Sequence, residues 1–234
     1  MSHTLVWWRR GANGGSTLAG MSAPRSSVRL PLAALLVPAA VTVLQGCGPL
    51  ESLLDTTAPI PTGGPPPAGF ATEMLDAQNA VRADPASVGG SPAPSPALPA
   101  LAWSSTVAAR AQAWADGCVY MHDTTALHDL GYGENIAATA PPGARDATYI
   151  VVEGWAAEAP FYDYATNGCD AANPANAAHT CGHYTQLVWR STTVVGCGFR
   201  TCTTGSPFGA SFPTWDYWVC DYAPPGNYVG QRPY

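Results

Sequence analysis

The stretch CGHYTQLVWRSTTVVGCG, residues 181–198, decides how the rest of this chain is read. Its first half places histidine, tyrosine, threonine and glutamine side by side. That is too polar for a segment that only fills a core, and it lacks the close cysteine pair of a zinc knuckle. Its second half is an apolar run with a cysteine, the pattern of a buried strand. His183 thus sits where a polar cluster meets the hydrophobic interior.

Working outward, TVVGCGFR (residues 193–200) and DYWVCD (residues 216–221) are separated by a stretch rich in Gly, Ser and Pro and read as an antiparallel hairpin. With its tip near Phe208 and Gly209, Cys197 lies almost opposite Cys220, whereas Cys202 would be several residues out of register with Cys220. Cys197 with Cys220 is the better pair. Cys169 and Cys181 enclose the short loop DAANPANAAHT, which leaves Cys118 for Cys202. Counting alone allows about fifteen arrangements of six cysteines.

Upstream lie two amphipathic helical patterns. FATEMLDAQNAVR (residues 70–82) places Phe70, Met74, Ala77 and Val81 on one face. SSTVAARAQAWAD (residues 104–116) does the same with Val107, Ala111 and Trp114, and Ser104 or Ser105 can cap it. GGSPAPSPALPA, residues 89–100, reads as an ordered or semi-ordered loop between them. A third helical pattern runs from about Arg145 to Glu158 and is ended by Pro160.

Composition narrows the partners. Only 11% of residues are charged, lysine is absent, and the ten basic residues are all arginine. Four of these, Arg9, Arg10, Arg25 and Arg29, precede the expected processing point, so from Cys47 onward six arginines face all sixteen acids. Such an acidic chain argues against nucleic acid or an anionic membrane surface as a partner.

The N-terminal region reads as an address. Residues 21–47 carry two arginines, an apolar run over residues 30–44 and then a cysteine, the layout of an export signal. The run is too short to span a bilayer and holds two prolines. Leu44, Gln45, Gly46 and Cys47 are similar to a bacterial lipobox, in which the cysteine is lipidated; an ordinary signal peptide cut elsewhere is the alternative. Met21 begins a complete signal by itself. The expected organisation is a signal region over 1–46, a lipidated Cys47 with a Pro- and Gly-rich spacer over 47–69, and one domain over 70–234. Seven cysteines less Cys47 leave an even six, suited to disulfides in an exported chain placed in the bacterial cell envelope, on the cell surface, or secreted.

Several motifs together resemble one family. GHYTQLVWRST (residues 182–192) is similar to the first signature of the CAP superfamily of cysteine-rich secretory, antigen 5 and pathogenesis-related proteins. YWVCDYAPPGNY (217–228) resembles its second signature, GENI (133–136) its third, and QNAVR (78–82) its helical HNxxR motif, with Gln78 in place of His. Asp221 stands where Asn or a similar residue is usual. The order is the family's, and the resemblance covers the domain from Phe70 onward.

The resemblance implies an α+β fold, a three-layer α-β-α sandwich with a small antiparallel sheet and three disulfides. It implies a central cavity lined by two histidines and two acids. His183 matches the first signature and Glu134 the third; Trp114, Cys118 and His122 fit WxxxCxxxH, with His128 as a rival; Trp155 and Glu158 fit WxxE. Glu153, five positions from Glu158, would point about 140° away on a helix. In that set His122 and His183 could bind Zn2+ or another divalent cation while Glu134 and Glu158 orient them. A polar network that organises the fold without metal is the plainer reading. The family also includes binders of sterols and fatty acids, and Phe161, Tyr162 and Tyr164 lie where some members carry an aromatic lipid-binding loop. Packing over the core is the alternative for those rings.

An enzyme is the weaker expectation. All six domain cysteines are expected in disulfides, and neither GxSxG nor HExxH occurs. The sequence therefore favours an exported, lipid-anchored binding protein for a small apolar ligand such as a sterol, fatty acid or other envelope lipid. A surface scaffold for protein partners and a metal-dependent hydrolase are the alternatives, and the oligomeric state is left open.

Overall fold

A computed structural model describes residues 66–169 and 180–234, apart from the side chain of His128. The signal region, Cys47, the spacer up to residue 65 and residues 170–179 lie outside the described residues.

The first helix, α1 (Phe70–Ala83), buries Phe70, Met74, Ala77 and Val81, the face read from its spacing, and also Gln78 and Arg82. A buried arginine requires acceptors. Arg82 donates to the carbonyls of Pro99, Leu187 and Trp189 at 2.9, 2.7 and 2.9 Å, tying two distant segments to α1 through one guanidinium fork. Burial lowers its pKa to about 10. Gln78 directs its amide nitrogen at both sulfurs of the Cys197–Cys220 bridge, 3.7 Å from each.

A short strand, β1 (Ala102–Trp103), leads into α2 (Ser105–Asp116), whose N-terminus is capped by Ser104 accepting from the Val107 amide at 3.3 Å. The buried face of α2 is Val107, Ala111 and Ala115. Trp114, expected on that face, is only half-buried, because the i+4 position rather than i+3 points at the sheet here. A one-turn helix, α3 (Thr124–His128), is capped by Asp123. Then β2 (Gly133–Thr139) enters the sheet.

The third helical pattern is not one regular helix. It begins as α4 (Ala147–Tyr149), capped by Asp146 at 2.7 Å, widens into a π-helical turn over Ile150–Trp155, and tightens into 3-10 geometry over Ala156–Phe161. Pro160 lies inside that last turn rather than beyond it, because a proline without an N–H disrupts a short terminal turn little. A small ribbon, β3 (Tyr162–Asp163) with β4 (Gly168–Cys169), precedes α5 (Gly182–Leu187), β5 (Val194–Cys202) and β6 (Trp215–Ala223).

The main sheet has the order β1-β5-β6-β2. It is mixed rather than wholly antiparallel: β1 runs parallel to β5, since the chain enters this edge and leaves at once into α2. The hairpin register sets Cys197 opposite Cys220. Alternation along β6 divides the core. Trp215, Tyr217 and Val219 pack with Ala111, Ala115 and Cys118 beneath α2, while Trp218, Cys220 and Tyr222 join Phe70, Met74, Ile150, Trp155 and Leu187 on the other face. The result is the α-β-α sandwich.

The disulfides are Cys118–Cys202, Cys169–Cys181 and Cys197–Cys220. The 89–100 loop is ordered by Arg190, whose guanidinium donates to Pro96 and Ala97 carbonyls at 2.7 and 3.2 Å. Among the described residues no helix is long and apolar enough to cross a membrane.

Candidate functional site

The four expected site residues form two histidine–carboxylate pairs. The first is built on the turn after α2. Trp114 donates its indole N–H to the Met121 carbonyl at 2.8 Å, and the Tyr217 hydroxyl donates to the same oxygen at 2.9 Å. These bonds fix the backbone just ahead of His122, which gives the spacing from Trp114 a physical purpose. His122 Nδ1 lies 2.6 Å from Glu134 Oε1, and the Asp123 amide donates to the same oxygen at 3.0 Å. Burial raises the Glu134 pKa, and the His122 hydrogen bond pulls it back down. The rival His128 ends α3, and its side chain lies outside the described atoms.

The second pair belongs to the quoted stretch. Glu158 Oε1 accepts from His183 Nδ1 at 2.8 Å and from the Thr180 hydroxyl at 2.7 Å. Its Oε2 accepts the His183 and Tyr184 amides at 2.8 and 3.2 Å. A carboxylate from the preceding element thus caps α5, whose own Cys181 offers no side-chain cap. The widened turn over Ile150–Trp155 aims Trp155 at His183, with rings 6.1 Å apart, while Glu153 is exposed.

The other polar residues of the stretch hold the end of the chain. The Thr185 hydroxyl, with one proton to give, lies 2.7 Å from Asn227 Oδ1 and 2.9 Å from the Cys181 carbonyl, and Asn227 donates its amide to the Gly182 carbonyl at 2.9 Å. Gln186 accepts the Gly226 amide at 2.8 Å and donates to Thr192 at 3.2 Å. Much of the polarity of this segment is therefore structural. Sequence reasoning missed Asn135, which joins β2 to α5 through the His183 carbonyl; its place next to Glu134 was the available signal.

With both Nδ1 atoms facing carboxylates, a divalent cation would be offered imidazole Nε2. His183 Nε2 is buried and, among the described residues, has no hydrogen-bond partner. Among the described residues no three His, Cys, Asp or Glu side chains converge as a ready metal cage. Two imidazoles alone would leave most of a cation's coordination shell to water.

The aromatic segment is engaged with its own chain. Tyr162 is buried and donates to Asn167 Oδ1 at 2.6 Å. Tyr164 stacks on Tyr234, centroids 5.0 Å apart, and bonds its carbonyl. Arg232 donates to the Tyr164 and Ala165 carbonyls, each at 2.7 Å. Phe161 is half-buried against the same core.

The fold, the paired histidines and the signatures agree with what comparison finds: the CAP, cysteine-rich secretory protein, family matches residues 75–222. The chain belongs to that family. Pathogenesis-related protein 1A of Nicotiana tabacum is 37% identical over 164 residues, covering 69% of this chain and 79% of the tobacco protein. Pathogenesis-related leaf protein 4 of Solanum lycopersicum is 38% identical over 135 residues, or 57% of this chain and 71% of the tomato protein. Among solved structures, NaASP2 with Zn2+ superposes with a TM-score of 0.52 at 24% identity, covering 73% of this chain and 90% of that one. At that identity the likeness speaks for the CAP fold alone. The CAP family is one of extracellular and secreted proteins, and the three disulfides suit an exported chain.

Proposed function

We propose that this CAP-domain protein, exported and tethered through lipidated Cys47, binds a small apolar ligand of the fatty-acid or sterol class. A groove of about 560 Å³ between the start of α1 and α2 supports the reading. The groove is open to solvent; its walls include the apolar Pro67, Phe70, Ala71, Trp103, Ala108 and Ala109 and the polar Thr72, Ser105 and Gln112. This moves the expected contact away from Phe161, Tyr162 and Tyr164, which are occupied by the chain itself. Pro66 and Pro67, at the end of the spacer, also line the groove.

Mass spectrometry of lipids that co-purify with the protein, with titration of labelled fatty acid and sterol, tests this. Saturable binding that Ala109→Trp weakens at least about tenfold, ~1.4 kcal/mol, is the expected result. No saturable binding to either class would leave the protein-scaffold reading. Metal-dependent cleavage lost in Glu134→Gln would point to the hydrolase. Fatty-acid labelling that persists in Cys47→Ser would refute the tether.

A second reading rests on the buried Nε2 of His183, unpartnered among the described residues. Held at Nδ1 by Glu158, it is oriented for a divalent cation, and NaASP2 has been crystallised with Zn2+. Zinc should raise thermal stability with the logarithm of its concentration, and the His122→Ala, His183→Ala double variant should lose the effect.

A further inference from the structure

We propose that Asp221 keeps its proton in the folded protein and is the positioning residue for Glu134, holding the second oxygen of that carboxylate while the first faces His122. The inference is independent of the apolar-ligand reading.

Asp221 on β6 and Glu134 on β2 are direct cross-strand partners, so their side chains leave the sheet on the same face, the one beneath α2. Asp221 is 1% exposed, and among the described residues neither of its carboxyl oxygens has a hydrogen-bond partner; Glu134 Oε2 is buried and likewise unpartnered among them. The two acids differ in what answers their charge. Glu134 receives the His122 ring and the Asp123 amide on Oε1. Among the described residues no donor reaches the Asp221 carboxyl. Two neighbouring buried carboxylates do not both ionise, and the proton belongs on the acid without donors. One proton converts Asp221 into a donor to Glu134 Oε2, directly or across one water, and satisfies an oxygen on each residue.

The charged surroundings agree. Glu134 faces Asp221 from β2, and His122 stands behind Glu134. From α2 comes Arg110, whose guanidinium is in direct contact with Asp123. Tyr222 follows on β6, and β5 presents only Gly196 opposite. Burial first, and then the Glu134 charge, hold the Asp221 carboxyl well above the usual carboxylate range, with Arg110 pulling back.

An aspartic acid whose folded pKa is raised holds a proton that the unfolded chain releases. Its stabilising contribution is complete at pH values below the ordinary aspartate range and is lost as pH rises through the folded pKa. Asparagine keeps the shape and a donor and has no proton to lose.

Denaturant unfolding of the wild type, Asp221→Asn and Asp221→Ala from about pH 4 to pH 8 tests the proposal. Asp221→Asn should gain on the wild type by about tenfold in the folding equilibrium for each unit that pH rises between the ordinary aspartate range and the folded pKa. Asp221→Ala, with no donor, should be less stable than Asp221→Asn at every pH. The infrared carbonyl band of a protonated carboxylic acid should be present in the wild type at neutral pH and absent in Asp221→Asn. A gap that does not change with pH, or no such band, overturns the proposal. So does a divalent cation that stabilises the wild type but not Asp221→Asn. If Asp221→Asn does not fold, Glu134→Gln decides: removing the neighbouring charge should flatten the wild-type slope, and an unchanged slope refutes the pairing.

Discussion

Asn135 donates its side-chain amide to the His183 carbonyl at 3.1 Å and to the Tyr222 hydroxyl at 3.3 Å. The residue beside Glu134 on β2 thereby holds the helix that carries the other histidine, so the two pairs hang on one strand. Asn135→Ala leaves the buried carbonyl and hydroxyl without this donor. A loss of about 2 kcal/mol in urea unfolding is expected. An unchanged midpoint would show that Glu158 alone positions α5.

Gly198 of β5 lies against the backbone of α2. A Cβ there would collide with main-chain atoms of Ala111 and Gln112, which cannot turn aside as a side chain can. Close approach is also what lets Gln112 accept the Phe199 amide at 3.0 Å and donate to its carbonyl at 2.9 Å. Gly198→Ala should cost more than about 4 kcal/mol and broaden or abolish the cooperative transition followed by near-ultraviolet circular dichroism. Wild-type melting in that variant would mean that α2 can lift away freely.

The disulfides should contribute unequally. Cys118–Cys202 spans 84 residues and Cys169–Cys181 spans 12. On chain entropy alone the longer closure stabilises by about 1.7 kcal/mol more. Paired Cys→Ala variants, compared by denaturant midpoint, should rank in that order. The reverse ranking would show that packing around the short loop outweighs chain entropy.

Tyr234→Ala removes the ring stacked on Tyr164 and should cost about 1 kcal/mol beyond lost burial. Hydrogen exchange over residues 162–169 should quicken. Lipid binding should be retained, because the groove beside α1 and α2 is elsewhere. Loss of binding in Tyr164→Ala would return the ligand to the aromatic segment.

Local pattern and covalent geometry were enough for much of this chain. The spacing of Phe70, Met74, Ala77 and Val81 defined the inner face of α1, and hairpin register set Cys197 against Cys220, because helix period and strand pairing are short-range regularities. The order of the motifs identified the family, and the spacing from Trp155 favoured Glu158 over the exposed Glu153. Other features depend on partners distant in sequence. The parallel edge at β1, the widened turn before Trp155, and the division of four site residues into His122 with Glu134 and His183 with Glu158 were set by how elements meet. So were the engagement of Tyr164 by Tyr234 and the groove beside Trp103. Asp221 makes the difference plain: in the sequence it is one acid after a cysteine, and only the pairing of β6 with β2 beneath α2 buries it beside Glu134, where low dielectric and a neighbouring charge decide its proton.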